Sequence, residues 1–341
     1  MTDETSRPEE RIARFHQATS ALEQAVAHVI VGQNRVVEEV LICLFAGGHA
    51  LLEGAPGLGK TLLVRTLAQA MDLVFSRIQF TPDLMPADIV GTNVVFEDTS
   101  GRKAFRLQRG PIFGQLVLAD EINRATPKTQ SALLEAMAEQ SVTISGTRHA
   151  LDLPFFVMAT ENPIEMEGTY PLPEAQLDRF LFKVLIPQPD EDTLVGILDL
   201  TTGTAKPEVP RVIDGKELLA MRDLVREVRI AEPLMRYVAR LVRGSDPSQP
   251  DAAPSAKRLL RYGAGVRGGQ SLVLAAKVRA LMEGRAHVSF KDLERVALPA
   301  LRHRIIPNFE AEADGVAPDA IVTKLLQEVP EVSGSVAAIA S

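Results

Sequence analysis

Apolar residues recur at helical spacing between Arg11 and Ile30, at Ile12, Phe15, Leu22, Val26 and Val29. The stretch from Val36 to Ala46 predicts a second helix, and Ala50 to Glu53 a short buried strand. A helix from Leu62 to Met71 and a weakly alternating strand from Val74 to Phe80 come next. Three bounded apolar runs, Gln115 to Ala119, Phe155 to Ala159 and Lys183 to Ile186, read as strands buried on both faces. Strands alternating with helices predict a parallel sheet between helical layers.

Two hairpins interrupt that plan. In the first, Thr92 to Asp98 and Lys103 to Gln108 flank the polar connector Thr99-Ser100-Gly101-Arg102. In the second, Val142 to Ser145 and Arg148 to Leu153 flank Gly146-Thr147. Glycine-containing polar connectors between β-prone segments are a hairpin signal. Past Pro187 the character changes. Prolines punctuate a linker that holds a short helix from Thr193 to Leu200, and beyond it every periodic segment is helical. These are Lys216 to Arg229, Pro233 to Arg243, Lys257 to Tyr262, Gln270 to Glu283, Phe290 to Ala300 and Pro318 to Glu328. The expected organisation is a tail over 1–10, an α/β domain with two hairpin inserts over 11–189, a linker over 190–215 and an all-α domain over 216–341.

The chain has 341 residues, enough for about two domains, with ordinary hydrophobic and charged fractions of 46% and 24%. Its net charge of −7 argues against a nucleic-acid partner. A modest basic group in the inserts (Arg102, Lys103, Arg106, Arg109 and Arg148) points the other way. The one cysteine, Cys43, permits no internal disulfide and suits a reducing compartment. The start, MTDETSRPEE, is polar and acidic rather than basic and apolar, and no apolar run nears the ~18 residues of a membrane span. A cytoplasmic protein is expected.

Gly54-Ala55-Pro56-Gly57-Leu58-Gly59-Lys60-Thr61 fits the pattern G-x-x-x-x-G-K-[ST] between a strand and a helix. Glycines let the backbone curl so that its N–H groups converge on phosphate oxygens. The helix that opens at Lys60 and continues through Leu62 adds its positive end. Lys60 supplies charge for the outer phosphates, and the Thr61 hydroxyl is a hard oxygen ligand suited to Mg²⁺. Downstream, the strand Gln115 to Ala119 ends in Asp120 and Glu121. A parallel sheet binds ligands at the C-terminal ends of its strands. There Asp120 can join the Mg²⁺ shell, and Glu121, pointing the other way along the pleat, can polarise a water for attack on the γ-phosphate.

These residues sit in longer strings, LADEINRATPKTQSALLEAMAEQSVT from Leu118 and ATENPIEMEGTYPLPEAQLDRF from Ala159. The strings resemble the MoxR family of AAA+ ATPases, and the likeness runs from about Ile30 to Leu326. The resemblance implies an ATP-hydrolysing enzyme in which a P-loop α/β domain, its parallel sheet between helices, precedes a smaller all-α lid. By that resemblance Asn162 is sensor 1, Arg179 of Leu177-Asp178-Arg179-Phe180 the arginine finger, and Arg267 sensor 2. Val31 and Gly32 lie near the adenine. Where the family more often has Ser-Pro before the sensor 2 arginine, this chain has Gly265-Val266.

The resemblance further implies Mg²⁺, a ring, most often a hexamer, and a partner carrying a von Willebrand factor A domain. The ATPase would remodel or mature protein complexes, with the two hairpins, and in them Phe96, Arg102 and Phe105, facing the pore or the partner. Arg124 could also face a neighbouring subunit, its plainer reading being a solvated helix start. The competing readings are a nucleic-acid motor, which shares this architecture, and the motor subunit of a metal chelatase. A transcription activator would need the string GAFTGA, which is absent.

Overall fold

The computed structural model describes residues 7–97, 103–163, 168–204 and 207–331. Helix α1 (Pro8–Ala27) begins inside the segment read as a tail. Pro8 suits the first helical turn, and Glu10 accepts the backbone N–H of Arg7 at 3.3 Å, so the acidic stretch nucleates a helix end. Helix α2 (Asn34–Ala46) closes on Gly47 in a left-handed conformation, φ 72°, and leads into β1 (Ala50–Glu53). Helix α3 (Lys60–Ala70) follows the phosphate loop and runs back to β2 (Phe75–Gln79).

Next come a short helix α4 (Pro86–Val90) and the antiparallel pair β3 (Gly91–Glu97) and β4 (Lys103–Arg109). The connector of this hairpin, with Arg102, lies outside the described residues. Strand β5 (Leu116–Asp120) is buried along its whole length. Helix α5 (Pro127–Glu139), absent from the pattern-based reading, precedes the second hairpin, β6 (Ser141–Ile144) with β7 (Thr147–Ala150). Strand β8 (Phe156–Glu161), the single-turn helix α6 (Glu174–Leu177) and strand β9 (Phe182–Leu185) complete the α/β part.

The central sheet has the order β2-β5-β8-β1-β9, with all its neighbours parallel. Alternation along each strand divides the core in two. Leu52, Leu118 and Met158 face the cluster shared with α1, α2 and α3, whereas Leu51, Val117 and Val157 face the cluster shared with α4 and α5. Both faces are covered, which is why these strands read as continuous apolar runs.

Helix α7 (Glu191–Thr202) lies in the linker, and none of its residues is buried. The segment beyond it holds α8 (Gly215–Glu227), α9 (Glu232–Ser245), α10 (Pro254–Leu259), β10 (Leu260–Tyr262), α11 (Val266–Met282), α12 (Phe290–Leu301), β11 (Ile306–Pro307), α13 (Phe309–Ala313) and α14 (Pro318–Glu328). It is not wholly helical. Residues Leu260 to Tyr262, expected to continue a helix, pair antiparallel with Ile306–Pro307. The partner strand lies over forty residues away, and a short apolar run does not announce such a pairing. Gly263 then crosses the chain so closely that a Cβ there would sit 2.3 Å from the Ser245 carbonyl oxygen.

Candidate functional site

The phosphate loop opens at the C-terminal end of β1. Gly57 and Gly59 have φ of 81° and 76°, a backbone that side-chain-bearing residues adopt at a cost of about 1–2 kcal/mol, and a Cβ on either would meet open space. The loop is therefore shaped by backbone need, not by packing. Gly54 is the opposite case, since a Cβ there would lie 2.9 Å from Ile186 Cβ. Lys60 Nζ donates to the Gly54 carbonyl at 2.7 Å, so the lysine folds back over the loop it follows. Burial lowers its pKa, opposed by the carboxylates of Asp120, Glu121 and Glu53. Thr61 is half-buried and Leu62 exposed.

Asp120, at the tip of β5, is held by residues of both neighbouring strands. Its Oδ1 accepts from Thr160 Oγ1 at 2.7 Å, and its Oδ2 accepts from Arg77 Nη2 at 2.6 Å. Glu121 has left the strand for the left-handed region, φ 57° and ψ 51°, so pleat alternation does not orient it. The Thr160 hydroxyl steadies that turn by accepting the Glu121 N–H at 2.8 Å. The Glu121 carboxylate accepts from Gln79 Nε2 at 2.9 Å and from Arg124 Nη1 at 3.0 Å. Arg77 Nη2 also donates to Gln79 Oε1, at 2.6 Å. One polar chain thus runs from Asp120 through Arg77 and Gln79 to Glu121. Arg77, Gln79 and Thr160 escaped the sequence reading. Gln79 lies opposite Asp120 in the β2–β5 register, a relation that no linear motif displays. Arg124 serves this carboxylate within its own chain.

Asn162 is buried just past β8, beside the loop, where the Gly54 N–H meets the Glu161 carbonyl at 3.4 Å. Val31 and Gly32 pack under α7. A Cβ on Gly32, φ 73°, would lie 2.3 Å from Thr193 Cγ2, and one on Gly196 3.1 Å from Val31 Cγ1. Gln33 Nε2 donates to the Leu58 carbonyl at 3.0 Å and so ties this segment to the phosphate loop.

Arg179 and Arg267 lie elsewhere. Both line a cleft with Gly48, His49, Asp178 and Arg304, at the N-terminal ends of β1 and β9. Four residues of β1, about 13 Å at 3.3 Å per residue, separate that edge from the phosphate loop. Arg179 Nη1 donates to the Leu134 carbonyl at 2.6 Å, and Arg267 stands 3.6 Å from the Asp178 carboxylate. Arg304, which the sequence reading missed, fixes the segment. It donates to Asp178 Oδ1 at 2.8 Å, to the Phe180 carbonyl at 2.6 Å and to the Leu181 carbonyl at 3.0 Å. Burial pushes the His49 pKa down to about 4. Its Nδ1 accepts the Val157 N–H at 3.0 Å, so the neutral ring carries its proton on Nε2, which faces the Met137 carbonyl at 3.3 Å.

A glycine loop capping a helix, two carboxylates at a strand tip and a helical lid define a P-loop ATPase. The family model "ATPase family associated with various cellular activities (AAA)" matches residues 49–182, and an AAA lid domain model matches residues 252–325. "Chaperone MoxR1" of Mycobacterium tuberculosis is 40% identical over 90% of this chain and 81% of that protein. "Protein MoxR" of Paracoccus denitrificans is 33% identical over 93% of this chain and 96% of its own length. A solved structure from Cytophaga hutchinsonii superposes with a TM-score of 0.87 at 39% identity, and the match covers 94% of this chain and 97% of that one. The chain belongs to the MoxR family of AAA+ ATPases and is an ATP-hydrolysing enzyme. No helix among the described residues is long and apolar enough to cross a membrane.

Proposed function

We propose that the protein is a chaperone-like ATPase of the cytoplasm whose subunits form a closed ring, a homohexamer, and hydrolyse ATP at their interfaces to mature protein complexes with a von Willebrand factor A domain partner. Glu121 is the base, Asn162 positions the attacking water or the γ-phosphate, and Lys60 binds the outer phosphates. Residues Gly54 to Leu62 cradle the phosphates, with Val31 and Gly32 near the adenine. The residues present fit Mg²⁺. The Thr61 hydroxyl, in the helix that follows β1, and the Asp120 carboxylate, at the tip of β5, are hard oxygen donors at the same end of the sheet, and the ion would neutralise phosphate charge there.

One observation carries the reading. Arg179 and Arg267 share a cleft at the sheet edge opposite their own phosphate loop. That placement supports a role in trans, Arg179 reaching the nucleotide of a neighbouring subunit with Arg267 beside it. A repeated head-to-tail contact of this kind closes into a ring when its rotation permits.

Mixing tests it. Arg179→Ala chains retain Glu121, and Glu121→Gln chains retain Arg179. Mixed rings therefore contain interfaces with both groups intact, and their turnover exceeds that of either variant alone. An arginine finger contributes about 10³–10⁵ in turnover, so a minority of restored interfaces is measurable. Mixed rings that form without recovering activity would place Arg179 outside the reaction.

A further inference from the structure

Two exposed surfaces, one beside the phosphate loop and one continuous with the cleft of Arg179 and Arg267, have complementary character. The first is α7. It has twelve residues, a length at which an isolated helix is marginal in water, yet its own chain buries none of them. Its inner side, Thr193 and Gly196, rests on Gly32 and Val31. Its outer side carries Leu194, Val195 and Leu198, which are 45%, 53% and 50% exposed. Helical spacing places Glu191 in line with these three, and Asp192 and Asp199 along their border. The helix thus presents an apolar stripe with one acidic edge and an acidic first turn beside the phosphate loop.

The second surface is a groove of about 830 Å³ between α9 and α11 of the lid. Met235, Val242, Val266, Val273 and Leu274 form its floor and walls, with Met235 41% and Val266 76% exposed. Arg226 and Lys277 stand on its rim, together with Arg243, which it shares with Asp251 at 2.9 Å. The groove runs directly into the cleft of Arg179 and Arg267, because Gln270 and Leu274 of α11 line both.

We infer that the occupant of this groove is helix α7 of a second copy of the chain, laid apolar side down with its acidic edge against the basic rim. The inference rests on the reading that Arg179 acts between subunits, and it names the contact that sets the register of that interface. Three observations converge on it. The helix is apolar and acidic where the groove is apolar and basic. The helix adjoins the phosphate loop, and the groove adjoins the arginines. One head-to-tail step therefore seats the helix and also brings Arg179 and Arg267 toward the neighbour's nucleotide. An amphipathic helix in an apolar groove is a common docking mode, and a patch of this kind on a lone subunit calls for a cover.

The test uses the full-length chain with ATP and Mg²⁺. A Leu198→Cys preparation is mixed with a Met235→Cys preparation and treated with a short bismaleimide, Cys43 being fully buried. The mixture yields a cross-linked dimer, and neither preparation alone does. In parallel, sedimentation compares the wild type with Leu194→Glu/Leu198→Glu, whose substituted positions are exposed and leave the core intact. The variant assembles only at a concentration about tenfold or more higher. Adding Arg226→Glu and Lys277→Glu to Asp192→Lys and Asp199→Lys in one chain restores assembly that either pair alone weakens. Assembly that proceeds normally in every variant, with no cross-link, overturns this contact and leaves the interfacial role of Arg179 standing. A wild-type chain that stays monomeric with ATP at all concentrations overturns both.

Discussion

Gln79 Nε2 lies 2.9 Å from Glu121 Oε2, and the same oxygen takes a second hydrogen bond from Arg124 at 3.0 Å. The proposed base is thus held between two donors, each of which leaves its carboxylate less free to meet a water. Removing one donor in Gln79→Ala should raise basal turnover about 3- to 10-fold, since hydrogen bonds to charged groups are worth about 1.5–3 kcal/mol and Glu121 keeps partial contact with solvent. Steady-state phosphate release against ATP affinity separates the cases. A fall in turnover at unchanged affinity would make Gln79 an aid to the base rather than a restraint.

Arg77 bridges Asp120 and Gln79. The guanidinium donates to Oδ2, one of the two carboxylate oxygens that Asp120 could offer a cation. Its side chain is 47% exposed, so the pairing is screened and worth less than a buried one. Arg77→Ala should lower the Mg²⁺ concentration for half-maximal turnover several-fold while lowering the apoprotein's melting temperature. A Mg²⁺ titration in which the variant needs more cation would show that Arg77 supports the metal site.

Lys60→Ala and Glu121→Gln should fail differently. The first removes the charge proposed to face the phosphates and should weaken ATP binding by about 10- to 100-fold, the worth of one charge-assisted hydrogen bond. The second keeps a side chain of the same shape, binds ATP normally and loses about 10²–10⁴ in turnover. Binding titrations alongside turnover distinguish them, and equal ATP affinity in Lys60→Ala would remove the lysine from the phosphate site.

His49 couples stability to pH. Its pKa falls from 6.5 to about 4 on folding, chiefly through burial. Between those values the unfolded chain binds a proton that the folded chain refuses. Stability from this group is therefore complete above pH 6.5 and lost as the pH falls toward 4, up to about 3 kcal/mol in all. His49→Asn keeps an acceptor for the Val157 N–H without the titration. Urea unfolding at pH 7, 6, 5 and 4.5 should show the wild type losing more stability on acidification than the variant, and parallel losses would clear His49.

The sequence by itself determined the parts whose chemistry is local. Gly57, Gly59, Lys60 and Thr61 are legible because a phosphate loop needs its residues at fixed spacing in one turn of chain. Asp120 and Glu121 are legible because a strand buried on both faces is apolar until it ends. Helix α14 and strand β1 lie where their periodicity puts them. What the tertiary structure decided are relations between segments. Parallel pairing sets Gln79 beside Asp120 and brings Thr160 and Arg77 onto its carboxylate, although neither Arg77 nor Thr160 belongs to a motif. The left-handed turn at Glu121 overrides the pleat that would have aimed it. The short run at Leu260 becomes a strand because Ile306 arrives to pair with it. And the sheet places Arg179 at the strand ends opposite the phosphate loop. Strand polarity alone dictates this, since residues at the two ends of a parallel sheet are kept apart by the length of its strands.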